Sequence, residues 1–285
     1  MRGRRWIRLA VFASCALLVG ACTQDVQGLR TPRSAASQSL GIRWQEGRSA
    51  GYRWTIDLDW QIYGDQPLKR TIAGSCQTTV VSVDGKHDAL LQVTFWLDPQ
   101  YVSAGQSGSF VFNLNVDPRG KVLSNPDGQF IDLLDLHNIF PLLPPAGAVA
   151  GDRWHESYSM PNPLMDDKRN FSVGGQYVRD EGSGLSRTVV IQAHLVAQVD
   201  DTADYQTLFG PPSKTDPPKV TIHDVGTEIA DVTYWYDPIH QGLVKSVARN
   251  DLNVTRTFLD ASNNRVFATS KEVGIETVTV TRSES

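Results

Sequence analysis

The stretch Tyr52–Ile62, Tyr-Arg-Trp-Thr-Ile-Asp-Leu-Asp-Trp-Gln-Ile, decides the fold class. Its even-numbered positions are all apolar or aromatic, and its odd-numbered positions carry Arg, Thr, Asp, Asp and Gln. Because successive side chains of a β-strand point to opposite faces, this alternation predicts a strand buried on one side only. Asp57 and Asp59 would then lie on the solvated side of a sheet.

Similar alternating runs recur along the chain, at residues 78–83, 90–97, 110–116, 189–199, 229–236, 243–248, 254–259 and 276–281. Turn signals rich in Asp, Asn and Gly separate them, among them Asp84-Gly85, Asp127-Gly128 and Ser262-Asn263-Asn264. Short connections of this kind join antiparallel strands, since parallel strands need long crossovers. The runs therefore predict an antiparallel, meander-like sheet.

Gln129–Phe140 departs from the strand pattern. Its apolar side chains and His137 recur near helical spacing. Pro141 ends the segment, and Pro144-Pro145 prevents the helix from resuming. We predict one short helix here, packed beside the sheet.

The chain also contains an internal repeat. The pentapeptide Ala50–Trp54 (AGYRW) recurs 100 residues later as Ala150–Trp154 (AGDRW). Each copy is followed by a related turn, Asp117–Gly120 (DPRG) and then Asp237–Gly242 (DPIHQG). Self-similarity at a fixed period indicates a duplicated supersecondary unit, and chance similarity between strands and turns is the alternative.

These patterns predict a mostly β protein. We expect a large, curved, half-barrel-like antiparallel sheet built from two related halves, about residues 40–149 and 150–285, with one short helix. Joining both halves into one sheet removes exposed edges. Two packed β-sandwiches are the alternative.

Residues 1–21 are typical of a secretion signal, with four arginines ahead of the short apolar run Leu9–Val19. The segment ends Leu18-Val19-Gly20-Ala21-Cys22, which resembles the lipobox of bacterial lipoproteins. The resemblance implies cleavage between Ala21 and Cys22. It also implies that Cys22 carries a diacylglycerol on its thiol and a fatty acid such as palmitate on its new amino group. An ordinary secretory signal is the alternative.

Two or more acyl chains hold a protein stably on a membrane, whereas a single chain does so only marginally. Thr23 follows the cysteine, where lipoproteins kept at the inner membrane typically carry Asp. The resemblance therefore implies the outer membrane of a Gram-negative cell envelope, with the protein facing the periplasm. Residues 22–39 are polar and lack an apolar period, which predicts a lipidated flexible tether before a body over 40–285.

Composition limits the partners. The chain of 285 residues is 40% hydrophobic, enough for a packed core, and has a net charge of -4. Four arginines and no acids lie in residues 1–21, so the remaining chain is more acidic still. An acidic body argues against nucleic acid as a partner, since a general basic field is what binds phosphate backbones.

The residues show no motif that carries catalysis. The serine-nucleophile, phosphate-loop and dinucleotide patterns are missing, and the six histidines are not spaced as metal ligands. Cys76 would be the single cysteine left after Cys22, which excludes an internal disulfide and favours a small buried side chain. We predict no metal, no cofactor and no catalytic residue. Acid pairs occur at Asp57/Asp59, Asp166/Asp167, Asp180/Glu181 and Asp200/Asp201.

In architecture, the lipobox, the strand run and the helix at Gln129–Phe140 resemble the lipoprotein-localisation factors (LolA/LolB/LppX-like half-barrels). The resemblance implies a concavity that binds a hydrophobic or amphiphilic ligand, although it transfers no binding residue. Four tryptophans fall in strand patterns, which favours core packing or an aromatic-lined concavity: Trp54, Trp60, Trp96 and Trp235. A structural or assembly partner of envelope proteins is a second possibility. A hydrolase with a site around His155, His194 or an acid pair is a third.

Overall fold

The computed structural model describes residues 40–62, 67–102, 107–126, 137–161, 168–204 and 220–283. The predicted signal segment, the tether and most of the predicted helix at Gln129–Phe140 lie outside these residues. At the described end of that segment, His137 is helical and the next residues form a turn. Within the described part of the chain, no helix combines the length and the apolar content needed to cross a membrane.

The described residues form eleven strands and two 3₁₀ turns, at Pro99–Tyr101 and Gly184–Ser186. The strands are β1 (Ser49–Ile62), β2 (Leu68–Val83), β3 (Ala89–Leu97), β4 (Ser109–Val116), β5 (Val122–Ser124), β6 (Arg153–Pro161), β7 (Lys168–Glu181), β8 (Thr188–Asp204), β9 (Val220–Asp237), β10 (Gly242–Asp260) and β11 (Arg265–Arg282).

All eleven strands belong to one antiparallel sheet in the order β5-β4-β3-β2-β1-β11-β10-β9-β8-β7-β6. The chain meanders from β1 to one edge, crosses to the other edge and meanders back, so β11 pairs with β1. Tyr52, for example, lies between Cys76 of β2 and Arg282 of β11. The prediction of a mostly β protein with one large antiparallel sheet is confirmed, and the two-sandwich alternative is wrong.

The two edge strands, β5 and β6, lie against each other. Arg119, in the turn before β5, forms an ion pair with Glu156 of β6 at 2.8 Å, and Lys121 pairs with the same carboxylate. Since the first and last strands of the order meet in this way, the sheet must curl round. Among the described residues, ion pairs and no strand-to-strand backbone hydrogen bonds join the two edges, so the sheet stays open.

The core fills the concave side of the curled sheet, called here the inner face. At the end where β1 begins, the core is closed by six buried side chains outside the strands: Leu40, Ile42, Ile139, Phe140, Leu142 and Leu143. We call this the capped end. The opposite end, where β1 finishes, is the distal end.

Candidate functional site: the inner face

Alternate residues of β1 build the centre of the inner face. Its even-numbered apolar residues are buried from Tyr52 to Trp60, whereas Asp57 and Asp59 are exposed on the outer face. Asp57 accepts a hydrogen bond from Thr71, and Asp59 forms an ion pair with Lys69. The one-sided burial predicted from the alternation is confirmed.

Aromatic side chains cover the inner face of β1, β3 and β4. Trp54 packs edge-on against Phe95 with ring centroids 6.2 Å apart, and Phe95 stacks on Phe112 at 5.9 Å. Phe110, the neighbour of Phe95 across the strands, is 39% exposed. This aromatic row therefore runs from the buried centre to an accessible edge at the distal end.

Two tryptophans of β1 rest on glycines of the flanking strands. Gly74 of β2 and Gly274 of β11 are the cross-strand partners of Trp54 and Trp60. A Cβ at Gly74 would lie 2.4 Å from Trp54, and one at Gly274 would lie 2.3 Å from Trp60. Only glycine at these two positions leaves room for the indole rings. The rings cover the glycine backbone in place of a side chain.

The indole N–H groups of Trp54 and Trp60 are buried and have no hydrogen-bond acceptor within the described structure. Leaving such a donor unsatisfied costs about 1–3 kcal/mol. Natural proteins leave few buried polar groups in this state, and each one calls for a reason.

The inner face of β9, β10 and β11 is polar instead. Arg256 lies between two carboxylates, with Asp224 at 2.7 Å and Glu272 at 3.0 Å. All three side chains are less than one-fifth exposed. Burial raises the pKa of Glu272 above its ordinary value, while the charge of Arg256 opposes that rise.

Further polar groups continue this surface toward the capped end. Asn250, Glu228 and Glu276 are buried, and the Asn250 side-chain amide donates to Glu276 at 3.4 Å. Burying such groups costs free energy unless they are hydrogen-bonded. The inner face is thus divided between an aromatic part on β1–β4 and a polar part on β9–β11.

An open cavity of about 440 Å³ lies over β6–β9, and its lining includes Arg153, Gln176, Gln192, His194 and Asp231. His194 Nδ1 lies 2.7 Å from an Asp231 carboxylate oxygen. No hydroxyl or thiol of the described residues hydrogen-bonds His194, so the pair lacks a nucleophile.

The remaining histidines do not gather into a site. His155 is exposed in the strand row beside His194, separated from it by Gly174. His223 pairs with Asp200 at 2.8 Å, and His240 pairs with Asp237 at 2.6 Å. Among the described residues, no three potential ligands are close enough to hold a metal ion.

The acid pairs named from the sequence do not form shared sites, and Asp57 and Asp59, which share the outer face of β1, contact different partners. Asp180 pairs with Arg187, and Glu181 pairs with Arg179. Asp201 is buried, whereas Asp200 is exposed beside His223. Asp166/Asp167, Ala21 and Cys22 lie outside the described residues.

Cys76 is buried with a free thiol, and burial raises its pKa to about 12. It is therefore an inert packing residue. Of the four tryptophans for which the sequence favours core packing or an aromatic-lined concavity, Trp54 and Trp60 lie in the core. The interpretation is wrong for Trp96 and Trp235, which lie on the outer face. Trp96 is 39% exposed, and the Trp235 indole donates to Glu181.

The polar part of the inner face was missed from the sequence. Its signal was present, because Asp224 and Glu228 occupy the same alternating positions as the buried Ala230, Val232 and Tyr234. The sequence places the strand at residues 229–236, whereas the structure extends it to Val220. Charged residues at inward positions interrupt the apolar alternation on which that prediction rests.

Comparison with known proteins supplies no family for this chain. No protein-family model matches it, and no curated protein matches it either.

Proposed function

We propose that the protein is a lipid-anchored outer-membrane lipoprotein of the periplasmic side that binds an amphiphilic ligand on its inner face. The lipobox at residues 18–22 supports the anchor. The ligand-binding part rests on one observation, the division of the inner face into an aromatic part on β1–β4 and a polar part on β9–β11.

An amphiphile matches both parts of this surface. Its apolar portion would pack at the distal end of the aromatic row, where Phe110 is 39% exposed and Trp60 lies near the end of β1, because removal of apolar surface from water drives binding. Its polar portion would contact the charged residues around Arg256. A purely apolar ligand would cover these charged residues without offering them a hydrogen-bond partner, which is unfavourable.

Native mass spectrometry tests the proposal. The full-length protein is purified in a mild detergent that is released in the gas phase, and bound molecules are identified after extraction into organic solvent. We expect a bound amphiphile in the wild type and its loss in Trp60→Ala. Trp96→Ala, which removes an exposed tryptophan of the outer face, is the matched control. A wild-type protein free of any bound molecule would contradict the proposal.

A role in envelope assembly is the second candidate. The edge strand β6 pairs only with β7 in the described sheet, and β5 covers only the last two residues of β4. Exposed strand edges are surfaces on which another chain can add a strand. Crosslinking from positions on β6 in the intact envelope would capture such a partner.

A further inference from the structure

Three arginines from two distant parts of the chain line one small cavity at the capped end. Arg43 and Arg48 precede β1, and Arg282 ends β11. Their cavity has a volume of about 50 Å³, and its other lining residues include Tyr52 and Gln241.

The fold holds these arginines in place by contacts with neighbouring elements. Arg282 is the cross-strand partner of Tyr52 on the inner side of β11. The Arg48 guanidinium donates to the backbone carbonyl of His240, in the turn between β9 and β10. The backbone N–H of Arg43 donates to the Gln241 side-chain oxygen at 3.0 Å.

No carboxylate of the described residues forms an ion pair with any of the three, whereas Arg53 and Arg119 each have one such partner and Arg256 has two. The carboxylate of the adjacent turn, Asp237, is already bonded to the His240 ring and to two backbone N–H groups. The charges of Arg282 and Arg48 also act on the hydroxyl group of Tyr52. Both oppose the effect of burial, which raises the pKa of Tyr52 to about 12.

Partly buried like charges repel one another, and an anion placed between them relieves that repulsion. Guanidinium groups bind phosphate and carboxylate oxygens through paired N–H donors. A single water requires about 10–15 Å³ by a comparable measure, so this cavity has room for one small polyatomic group. The geometry points to an anion-binding site formed by Arg43, Arg48 and Arg282 that accepts a phosphate group.

We commit to the phosphate group of an anionic phospholipid as the occupant, a choice that rests on the proposed lipid anchor. Leu40, the first described residue, is buried in the closure of this same end. The tether predicted from the sequence for residues 22–39 would therefore join the body at this end. A flexible tether of 18 residues would span about 20–25 Å on average, so an anchored body could bring this end to its own membrane.

The test is a titration of the purified full-length chain in dodecyl maltoside, followed by intrinsic tryptophan fluorescence and by the thermal unfolding midpoint. Trp44 lines the cavity and supplies a local signal. The probes are dihexanoyl phosphatidylglycerol, the zwitterionic dihexanoyl phosphatidylcholine, and inorganic phosphate. The test variant is Arg48→Gln/Arg282→Gln, and the control is Arg265→Gln, an exposed arginine at the distal end.

We expect phosphatidylglycerol to bind more tightly than phosphatidylcholine or inorganic phosphate. Its Kd should rise about tenfold or more in Arg48→Gln/Arg282→Gln and stay unchanged in Arg265→Gln. Should the double variant fail to fold, Arg43→Gln removes an exposed member of the site, and we expect a several-fold rise in its Kd.

Equal Kd values in wild type and the arginine variants would overturn the site. Inorganic phosphate bound as tightly as phosphatidylglycerol would overturn the phospholipid as its occupant. These soluble probes do not depend on acylation of Cys22, and the comparison with the arginine variants separates this site from binding on the aromatic part of the inner face. A failure here is therefore distinguishable from a failure of the proposed function, which the Trp60→Ala comparison tests separately.

Discussion

Trp154 and Gly175 are cross-strand partners, and the Trp154 indole occupies the space that a side chain at position 175 would need. A Cβ at Gly175 would lie 2.1 Å from the indole ring. Trp54 covers Gly74 in the same way. Trp54 and Trp154 are the last residues of the two copies of the pentapeptide. A duplication would therefore have preserved the tryptophan–glycine packing together with the pentapeptide sequence. The duplication itself stays a prediction.

Gly175→Ala should destabilise the protein by about 1–3 kcal/mol, because the added methyl group clashes with the Trp154 ring. The neighbouring Gly174→Ala is the matched control, since a Cβ there meets no atom within 4 Å. We expect Gly174→Ala to change stability by less than about 0.5 kcal/mol. Urea unfolding of both variants measures the difference, and equal losses would contradict the close contact.

Arg256→Met should lower the free energy of unfolding by about 3–5 kcal/mol, because it leaves the buried carboxylates of Asp224 and Glu272 without their cation. Arg179→Met is the control, since Arg179 is 56% exposed and its partner Glu181 is 39% exposed. The control substitution should lower the free energy of unfolding by less than about 1 kcal/mol. Chemical unfolding at pH 7 compares the two variants. A loss of stability for Arg256→Met as small as that of the control would show that its ion pairs with Asp224 and Glu272 do not stabilise the fold.

The ion pairs that join the sheet edges predict a pH dependence of stability. Burial alone would raise the pKa of Glu156, but its hydrogen bonds with Lys121 and Arg119 hold it below the ordinary value. A lowered folded-state pKa contributes stability above the unfolded pKa, near 4.5, and that stability is lost as the pH falls through the folded value.

Glu156→Gln should therefore be less stable than wild type at pH 7, by about 1 kcal/mol because the pair is partly exposed. The difference should vanish in strong acid. Urea unfolding between pH 3 and pH 7 measures it. Asp59→Asn, which breaks the exposed pair with Lys69, should change little at any pH.

His137 predicts a second pH dependence. Its ring is fully buried, and burial lowers its pKa to about 4 from an ordinary value of 6.5. Between these values the unfolded chain binds a proton that the folded protein does not, so stability falls as the pH drops from 6.5 toward 4. The slope contributed by one such group is at most about 1.4 kcal/mol per pH unit.

His137→Gln should flatten this slope even if it lowers stability at every pH. His155→Gln, at an exposed histidine, should leave the slope unchanged. Thermal or urea unfolding at several pH values between 4 and 7 measures the slope of stability against pH in each variant. An unchanged slope in His137→Gln would mean that the buried ring does not control acid stability.

Cys22→Ala should abolish incorporation of radiolabelled palmitate and leave an unprocessed precursor or a soluble protein. The matched control is Cys76→Ala, which removes the buried thiol of the body and should still be labelled. Labelling of cells followed by fractionation gives both readouts. A Cys22→Ala protein that is still mature and membrane-bound would rule out the lipobox interpretation.

The sequence predicted strands best where burial is one-sided and apolar. The run Tyr52–Ile62 lies within β1, Ser49–Ile62, because each inward position is apolar. The prediction for β11 covered only residues 276–281 of Arg265–Arg282, since the charged Glu272 occupies an inward position before that run. In β9 and β11, strand length was thus underestimated where an inward charged residue breaks the apolar alternation.

The sequence by itself determined the β class, the antiparallel connections and the inward side of β1, because these depend on side-chain period and on short turns. Only the tertiary structure decided that β11 pairs with β1, that Arg119 reaches Glu156, and that Arg43, Arg48 and Arg282 share one cavity. These contacts join residues far apart in the chain. The global curl of the sheet creates them, and no local pattern records how a sheet closes on itself.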